Sequence, residues 1–446
     1  MNRRHDLTSG CVMRYVFLAA VLVACSPAAR AQAPPQTATP ITIDLAGALQ
    51  RAKQYSPQYL AAAIASAAAH EDRVQAKAAL LPTLNAFNQY TYTQGNGTPT
   101  GVFVANNGVH VYDEQATLHA ELFSVTRHAE YRRAMAAEAA FAARREIAAR
   151  GLAATVFQNY YAVIVAQRHT ENARRSLDEA RRFEDLTEKQ ERGGEVAHAD
   201  VVRSQLQLRE RERELLDTQT NIEKAKLGLA VLVFADLAQP FCVVDDLRPD
   251  APLPPPDEIR QQAFANNPDI RAAEAGLRQA DFGIKAARGL YYPSLVVDYF
   301  YGMDSNFFAL HNPDGSRNLG SVVQAAVNVP VWNWGATRSK VRQAELQRRQ
   351  AEVDLNFARR QIEANVTGLY LEGQAAKAQL DSLRNSADLA SESLRLTLLR
   401  YQGGEATALE VVDAQSALAL ARNAYDDGLA RYRLALANIQ TLTGRF

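Results

Sequence analysis

Gln115-Ala116-Thr117-Leu118-His119-Ala120-Glu121-Leu122 alternates polar and apolar side chains without a break. A period of two marks a strand with one apolar and one polar face. Just upstream, Thr83 to Thr93 alternates less cleanly: Leu84, Ala86, Tyr90 and Tyr92 stand against Asn85, Gln89, Thr91 and Thr93, with Phe87 and Asn88 out of step. Gly95 to Val109, rich in Gly and Asn, separates the two runs and reads as the loop of a β-hairpin.

The same landmarks return about one half-chain later. Leu295, Val297, Tyr299 and Tyr301 share a face, and Val323, Ala325, Val327, Val329 and Val331 alternate with Gln324, Ala326 and Asn328, across the loop Asp304 to Leu319. Pro268 and Pro293 lie 211 residues after Pro57 and Pro82. Tyr370, Gly403-Gly404-Glu405 and Glu410-Val411-Val412 lie 210 after Tyr160, Gly193-Gly194-Glu195 and Asp200-Val201-Val202. A fixed offset with one small indel is a tandem duplication. The repeats span 42–238 and 258–446, and the proline-rich 239–257 between them reads as an extended linker.

Each repeat opens with an Ala-rich helical pattern that Pro82 or Pro293 ends, because proline cannot continue a helix. After each hairpin, roughly 125–189 and 339–400 contain no proline and only isolated glycines, which predicts helices approaching ~100 Å at ~1.5 Å per residue. In the second, Ile362, Val366, Leu369, Gly373, Ala376, Leu380, Leu383, Ala387, Ala390 and Leu394 keep a 4,3 spacing, a heptad seam. The returning segment, from Val411 to Ile439, keeps it with one four-four step at Tyr425 to Leu429. Antiparallel coiled-coil hairpins follow, each reversing at Gly193-Gly194 or Gly403-Gly404, where glycine permits a positive φ.

Arg3, Arg4 and Arg14 precede an apolar run, Tyr15 to Ala24, of signal-peptide length. Processing is expected either after Ala31 (signal 1–31) or at a lipidated Cys25 (signal 1–24), and 32–41 reads as a tether. No later run reaches the ~18 apolar residues of a membrane helix. Cys11 and Cys25 lie in or beside the signal, so Cys242 has no intrachain partner and is expected to be a small buried residue in Phe241-Cys242-Val243-Val244. With 49 basic and 49 acidic residues there is no basic field, so nucleic acid is excluded as a partner.

The strands have the ~9–11 residues that cross a bilayer when tilted, with one apolar face. A lipid-exposed sheet cannot keep an edge, and four strands are too few to close, since barrels begin at about eight. Several chains must therefore pool their strands.

Two strand hairpins between long helices, the prolines ending the first helices, Val331-Trp332-Asn333-Trp334-Gly335-Ala336-Thr337-Arg338, and the Gly-Gly turns with their acidic-Val-Val triplets resemble the outer-membrane efflux protein (TolC-like) family over about residues 42–446. The resemblance implies a mainly α chain whose two β-hairpins join a trimeric twelve-stranded barrel in the outer membrane above a periplasmic α-barrel. It implies a passive homotrimeric conduit in outer-membrane lipid, working with a periplasmic adaptor (membrane fusion) protein and an inner-membrane transporter. It also implies that Glu410 and Asp413 are lumen-facing selectivity acids, that Asp200 and Tyr401 form a closing link, and that the tip turns Gly193, Gly194, Gly403 and Gly404 meet the adaptor. The family's gate arginine position holds Ala406 here, so Arg400 or Arg192 substitutes or the gate is looser. Glu410, Asp413 and Asp200 also suit a bland role as carboxylates just inside a helix N-terminus.

Trp332 and Trp334, at a strand end, are expected to anchor at the membrane interface. His110, His119, His198 and His311 have no metal-ligand spacing, and His119 reads as a lumen residue. No nucleophile elbow, phosphate loop or paired-Cys motif occurs, so no cofactor, metal or enzyme activity is expected. The other reading is a periplasmic coiled-coil adaptor or scaffold, which would lack amphipathic strand pairs.

Overall fold

The computed structural model describes residues 41–92, 110–248 and 252–444, so the signal segment, Cys25, most of the tether and the loop 95–109 lie outside the described residues. The elements run β1 (Ile41–Ile43), α1 (Leu45–Tyr55), α2 (Pro57–Ala78), β2 (Thr83–Tyr92), β3 (His110–Phe123), α3 (Val125–Arg192) and α4 (His198–Val233). The second repeat follows as β4 (Phe241–Val243), α5 (Pro256–Asn266), α6 (Pro268–Gly289), β5 (Ser294–Ser305), β6 (Gly320–Asn328), α7 (Ala336–Gln402) and α8 (Ala408–Thr443).

Pro57 and Pro268 start helices rather than interrupt them. Each is the first helical residue behind a capping side chain: Ser56 Oγ accepts from the Tyr59 N–H, and Asn267 Oδ1 from the Asp269 and Ile270 N–H groups. Proline fits there because its missing N–H would have no helical partner.

The four long strands form one antiparallel sheet in the order β2-β3-β5-β6. The hairpins of the two repeats are thus joined through β3 and β5, and β2 and β6 are left as open edges. Leu84, Leu118, Tyr299 and Val323 are in register across all four strands, while the neighbouring row is Thr83, His119, Asp298 and Gln324. Facing residues in an antiparallel ladder point to the same side, so one face is mainly apolar, with Asn88 and Glu114 as its polar row, and the other is mixed, with Phe87, Phe300 and Val322 among its polar residues. His119 Nδ1 lies 2.6 Å from Asp298 Oδ1 on the polar face. Strand β6 stops at Asn328, short of the expected Val331, because Pro330 has no N–H for the ladder. At Gly302 an added Cβ would fall 2.1 Å from the Glu114 carbonyl oxygen, so β3 and β5 can pair there only around a glycine.

Helices α3 and α7 run 68 and 67 residues, and α4 and α8 fold back 36 residues each. The predicted α7 seam is buried or half-buried at every position, with Leu380 packed against Leu429, Tyr432 and Leu436 of α8. Helix α3 takes a more central place, touching α2, α4, α6 and α8. Arg150, 8 % exposed, donates to the carbonyls of Asn266 and Leu442 near the ends of α5 and α8, where a cation also meets the negative helix dipole.

Within the segment expected to be only an extended linker, β4 pairs in parallel with β1. Phe241 and Val243 turn into the core with Ile43 and Val156, and Cys242 between them is exposed. The expected burial of Cys242 is therefore corrected. A strand one layer thick buries alternate residues, and the larger apolar side chains hold the inward positions.

Candidate functional site: the helix-hairpin tips and the sheet

Both tips are built alike. The Glu195 N–H donates to the Gln190 carbonyl and the Gly194 N–H to Glu191; Glu405 and Gly404 repeat this on Arg400 and Tyr401. These are Schellman caps, in which one residue adopts the left-handed region. Only the second glycine of each pair does so, Gly194 at φ 75° and Gly404 at 73°, while Gly193 and Gly403 are right-handed. The positive-φ requirement thus falls on one glycine per turn.

Beyond the turns the repeats diverge. Helix α8 starts with a capping box: the Glu410 N–H donates to Thr407 Oγ1 at 3.4 Å, and the Thr407 N–H to Glu410 Oε1 at 3.1 Å. Arg400 Nη1 stands 3.5 Å from Glu410 Oε2, and Arg400 also donates to the Glu405 carbonyl. Hydrogen bonds from Thr407, helped by Arg400, hold the Glu410 carboxyl below its usual range. In α4 the capping position is Ala197, which has no side-chain acceptor, so Asp200 sits at the matching place without a box. The Thr-x-x-Glu spacing at 407–410 is itself legible as a capping box.

Tyr401 is buried against Phe183 of α3, ring centroids 5.2 Å apart, within a core that includes Leu394, Ala408, Val411 and Leu418. Burial, with a smaller push from the Asp200 carboxylate, moves its hydroxyl up to about 12. Among the described residues that hydroxyl has no hydrogen-bond partner, so the structure brings Asp200 and Tyr401 near each other without a bond between them. Asp413 is exposed on α8. Arg192 pairs with Glu188 on its own helix at 3.2 Å.

At the opposite end the apolar sheet face carries an aromatic cluster of Tyr90, Tyr92, His110, Tyr112 and Phe308, with centroids 5.0 to 6.1 Å apart. Ten residues along β3 separate Tyr112 from Leu122; at ~3.3 Å each and a tilt of ~40° they rise ~25 Å, the height of the apolar band of an outer-membrane barrel, with Glu114, opposite Asn88, as a polar interruption near its aromatic end. Beyond β6, Trp332 and Trp334 are 76 % and 89 % exposed and touch edge to face at 5.9 Å. Trp334 has φ 54°, rare for a bulky residue, just before Gly335 caps α7 at 82°. Among the described residues no His, Cys, Asp or Glu cluster could hold a metal, and no helix is long and apolar enough to cross a membrane.

The model of the outer membrane efflux protein family matches residues 48–233 and 259–445, one match in each repeat. The chain is 24 % identical over 405 residues to the alkaline protease secretion protein AprF of Pseudomonas aeruginosa, covering 88 % of this chain and 82 % of that one. It is also 24 % identical to the cobalt-zinc-cadmium resistance protein CzcC of Cupriavidus metallidurans, over 66 % of this chain and 67 % of the relative. The fold is similar to the open-state Neisseria gonorrhoeae MtrE outer membrane channel, with a TM-score of 0.74, 22 % identity and coverage of 90 % and 88 %. A duplicated strand-hairpin and helix-hairpin unit, matched by the family model in both halves, makes this chain a member of the outer membrane efflux protein family, a channel component of the outer membrane rather than an enzyme.

Proposed function

We propose that three copies of this chain close a twelve-stranded barrel in the outer membrane and a helical conduit beneath it. The observation that carries this is the four-stranded sheet with one apolar face and two open edges, β2 and β6. The helices continue the same logic. On the β2 side, α4 leaves Val202, Leu206, Leu216 and Val231 exposed; on the β6 side, α7 leaves Phe357, Leu371, Leu389 and Leu399 exposed. Two unlike apolar flanks support a head-to-tail contact between copies, the kind that generates rings.

The conduit passes solutes without consuming energy, and an inner-membrane transporter reached through a periplasmic adaptor drives them. The Gly-Gly tips and the groove beside them, of about 370 Å³ and lined by Phe183, Leu186, Lys189 and Leu398, are the natural place for an adaptor to dock. Trp332 and Trp334 anchor the periplasmic rim of the barrel in lipid. Asp413, exposed on α8, carries selectivity more than Glu410, whose charge Arg400 and Thr407 already engage. The names of relatives span metal resistance and protease secretion, so cargo is set by the pump. In planar bilayers, purified protein should give discrete cation-selective conductance steps, with Asp413→Asn moving the reversal potential toward zero further than Glu410→Gln. Purified oligomer that gives no steps would reject the channel.

A further inference from the structure

Helix α7 opens Ala336-Thr337-Arg338-Ser339-Lys340-Val341-Arg342, three cations in its first seven residues. A helix N-terminus is the positive end of the macrodipole, so cations there work against the helix. The chain follows that rule elsewhere. Helices α4, α5, α6 and α8 place Asp200, Asp257, Asp269 and Glu410 in their first turns, whereas the first turn of α7 holds no acid. The whole chain carries no net charge, so the run is not a matter of composition. Helix stability therefore does not explain it.

Two of the three cations join α6 in one patch. Arg338, Arg342 and Glu345 are spaced by four and three residues and share a face of α7. Arg288 of α6 reaches that face, 2.9 Å from Glu345 Oε1. Lys285 stands one turn further along α6, its amine 4.8 Å from the centre of the Phe282 ring. All four cations are exposed. At ~1.5 Å per residue each lies within ~9 Å of the helix end that meets the sheet. A groove of about 600 Å³ runs between α6 and α7 from Lys285 and Arg288 down to Arg348 and Glu352.

The patch faces outward at the level of lipid headgroups. Followed down α7 in steps of seven and eleven residues, the face of Glu345 passes Glu352 and reaches Glu363, which Arg260 of α5 holds at 2.8 Å. Helix α5 marks the outer side of the helix layer, because a helix laid across the inner side would obstruct a conduit. The opposite face of α7 carries Gln343, Gln347, Gln350 and Gln361. On the sheet side of the patch, exposed Tyr291 and Tyr292 follow α6, and exposed Trp332 and Trp334 precede α7. Aromatic side chains of this kind sit at the membrane interface, which sets the neighbouring cations beside lipid phosphates.

We propose that Lys285, Arg288, Arg338 and Arg342 form a binding site for the phosphate headgroup of an anionic glycerophospholipid in the periplasm-facing leaflet, one site per chain. This rests on the channel reading above, which supplies the membrane. The lipid phosphate provides the negative charge that the start of α7 lacks, and guanidinium groups suit it through paired N–H donors.

The test places the purified oligomer in nanodiscs of phosphatidylethanolamine with a minor share of phosphatidylglycerol and counts the lipids that stay bound by native mass spectrometry. Wild-type protein should retain phosphatidylglycerol at least about fivefold above its share of the bilayer, an excess that shrinks as salt rises. Changing all four cations to Gln should bring retention down to that share. Arg288→Lys, Arg338→Lys and Arg342→Lys together should keep most of the excess, and Arg174→Gln with Arg181→Gln, exposed on α3 far from the sheet, should leave it unchanged. If the fourfold Gln variant fails to assemble, Lys285→Gln with Arg288→Gln and Arg338→Gln with Arg342→Gln are read as separate pairs, each lowering the excess. Wild-type protein that inserts yet holds phosphatidylglycerol only at its share of the bilayer would overturn the site. So would a Gln variant that assembles and keeps the excess, or displacement of the lipid by inorganic phosphate, which would make the patch a site for free anions. Wild-type protein that enters no bilayer would instead overturn the channel reading.

Discussion

Thr407 shows how much one residue can change between copies of a duplicated unit. Where the second repeat has Thr407 and a full capping box, the first has Ala197 and none. Thr407→Ala should therefore lower stability by about 1 kcal/mol, read as a fall in the thermal midpoint. Gly404→Ala should cost ~1–2 kcal/mol because φ is 73° there, whereas Gly403→Ala, in right-handed backbone, should cost clearly less. A pH effect is expected at His169, whose Nε2 stands 3.2 Å from Asp427 across the α3–α8 contact. Pairing with Asp427 raises its pKa against the opposing effect of partial burial. A raised folded-state value means the stabilisation is full below the unfolded value of about 6.5 and is lost as pH rises through the folded one. The gap between wild type and His169→Gln in thermal midpoint should shrink from pH 6 to pH 8.5; a constant gap would rule the pairing out.

Among elements, the helices were the most legible part of the chain. The α7 seam from Ile362 to Leu394 was readable because a 4,3 apolar spacing has one structural meaning, and every seam position is withdrawn from solvent. Leu380→Ala should cost ~2–5 kcal/mol through the cavity it leaves against Leu429 and Tyr432, whereas exposed Leu389→Ala should barely affect the isolated chain. Strand alternation was equally readable, but strand ends were not: β6 stops at Asn328 because of Pro330, and β5 runs on to Ser305. What escaped the sequence was long-range pairing. Three residues of β1 meeting three of β4 carry no periodic signal, and Cys242 therefore read as buried when only its neighbours are. The pairing of β3 with β5, and the placing of Glu179 against Arg422, likewise depend on segments far apart in sequence. For the candidate site, residue types and turns were visible in advance, while partners such as Arg400 for Glu410 and Phe183 for Tyr401 emerged only from the fold.

At the scale of the whole molecule, the duplication and the open sheet point the same way. A chain with a bilayer-high, mainly apolar sheet face, two unpaired strand edges among the described residues and two unlike apolar helix flanks is not a finished object in either lipid or water. Joining β6 of one copy to β2 of the next, and α7 to α4, satisfies the edges and flanks together. Three copies give twelve strands, and the internal repeat makes the ring quasi-sixfold. Stoichiometry and closure are thus what define the assembly, and native mass measurement on protein extracted from membranes in mild detergent reads them out. An assembly of three chains that requires detergent to stay in solution is the expected result. A single chain, soluble after a salt wash alone, would contradict it.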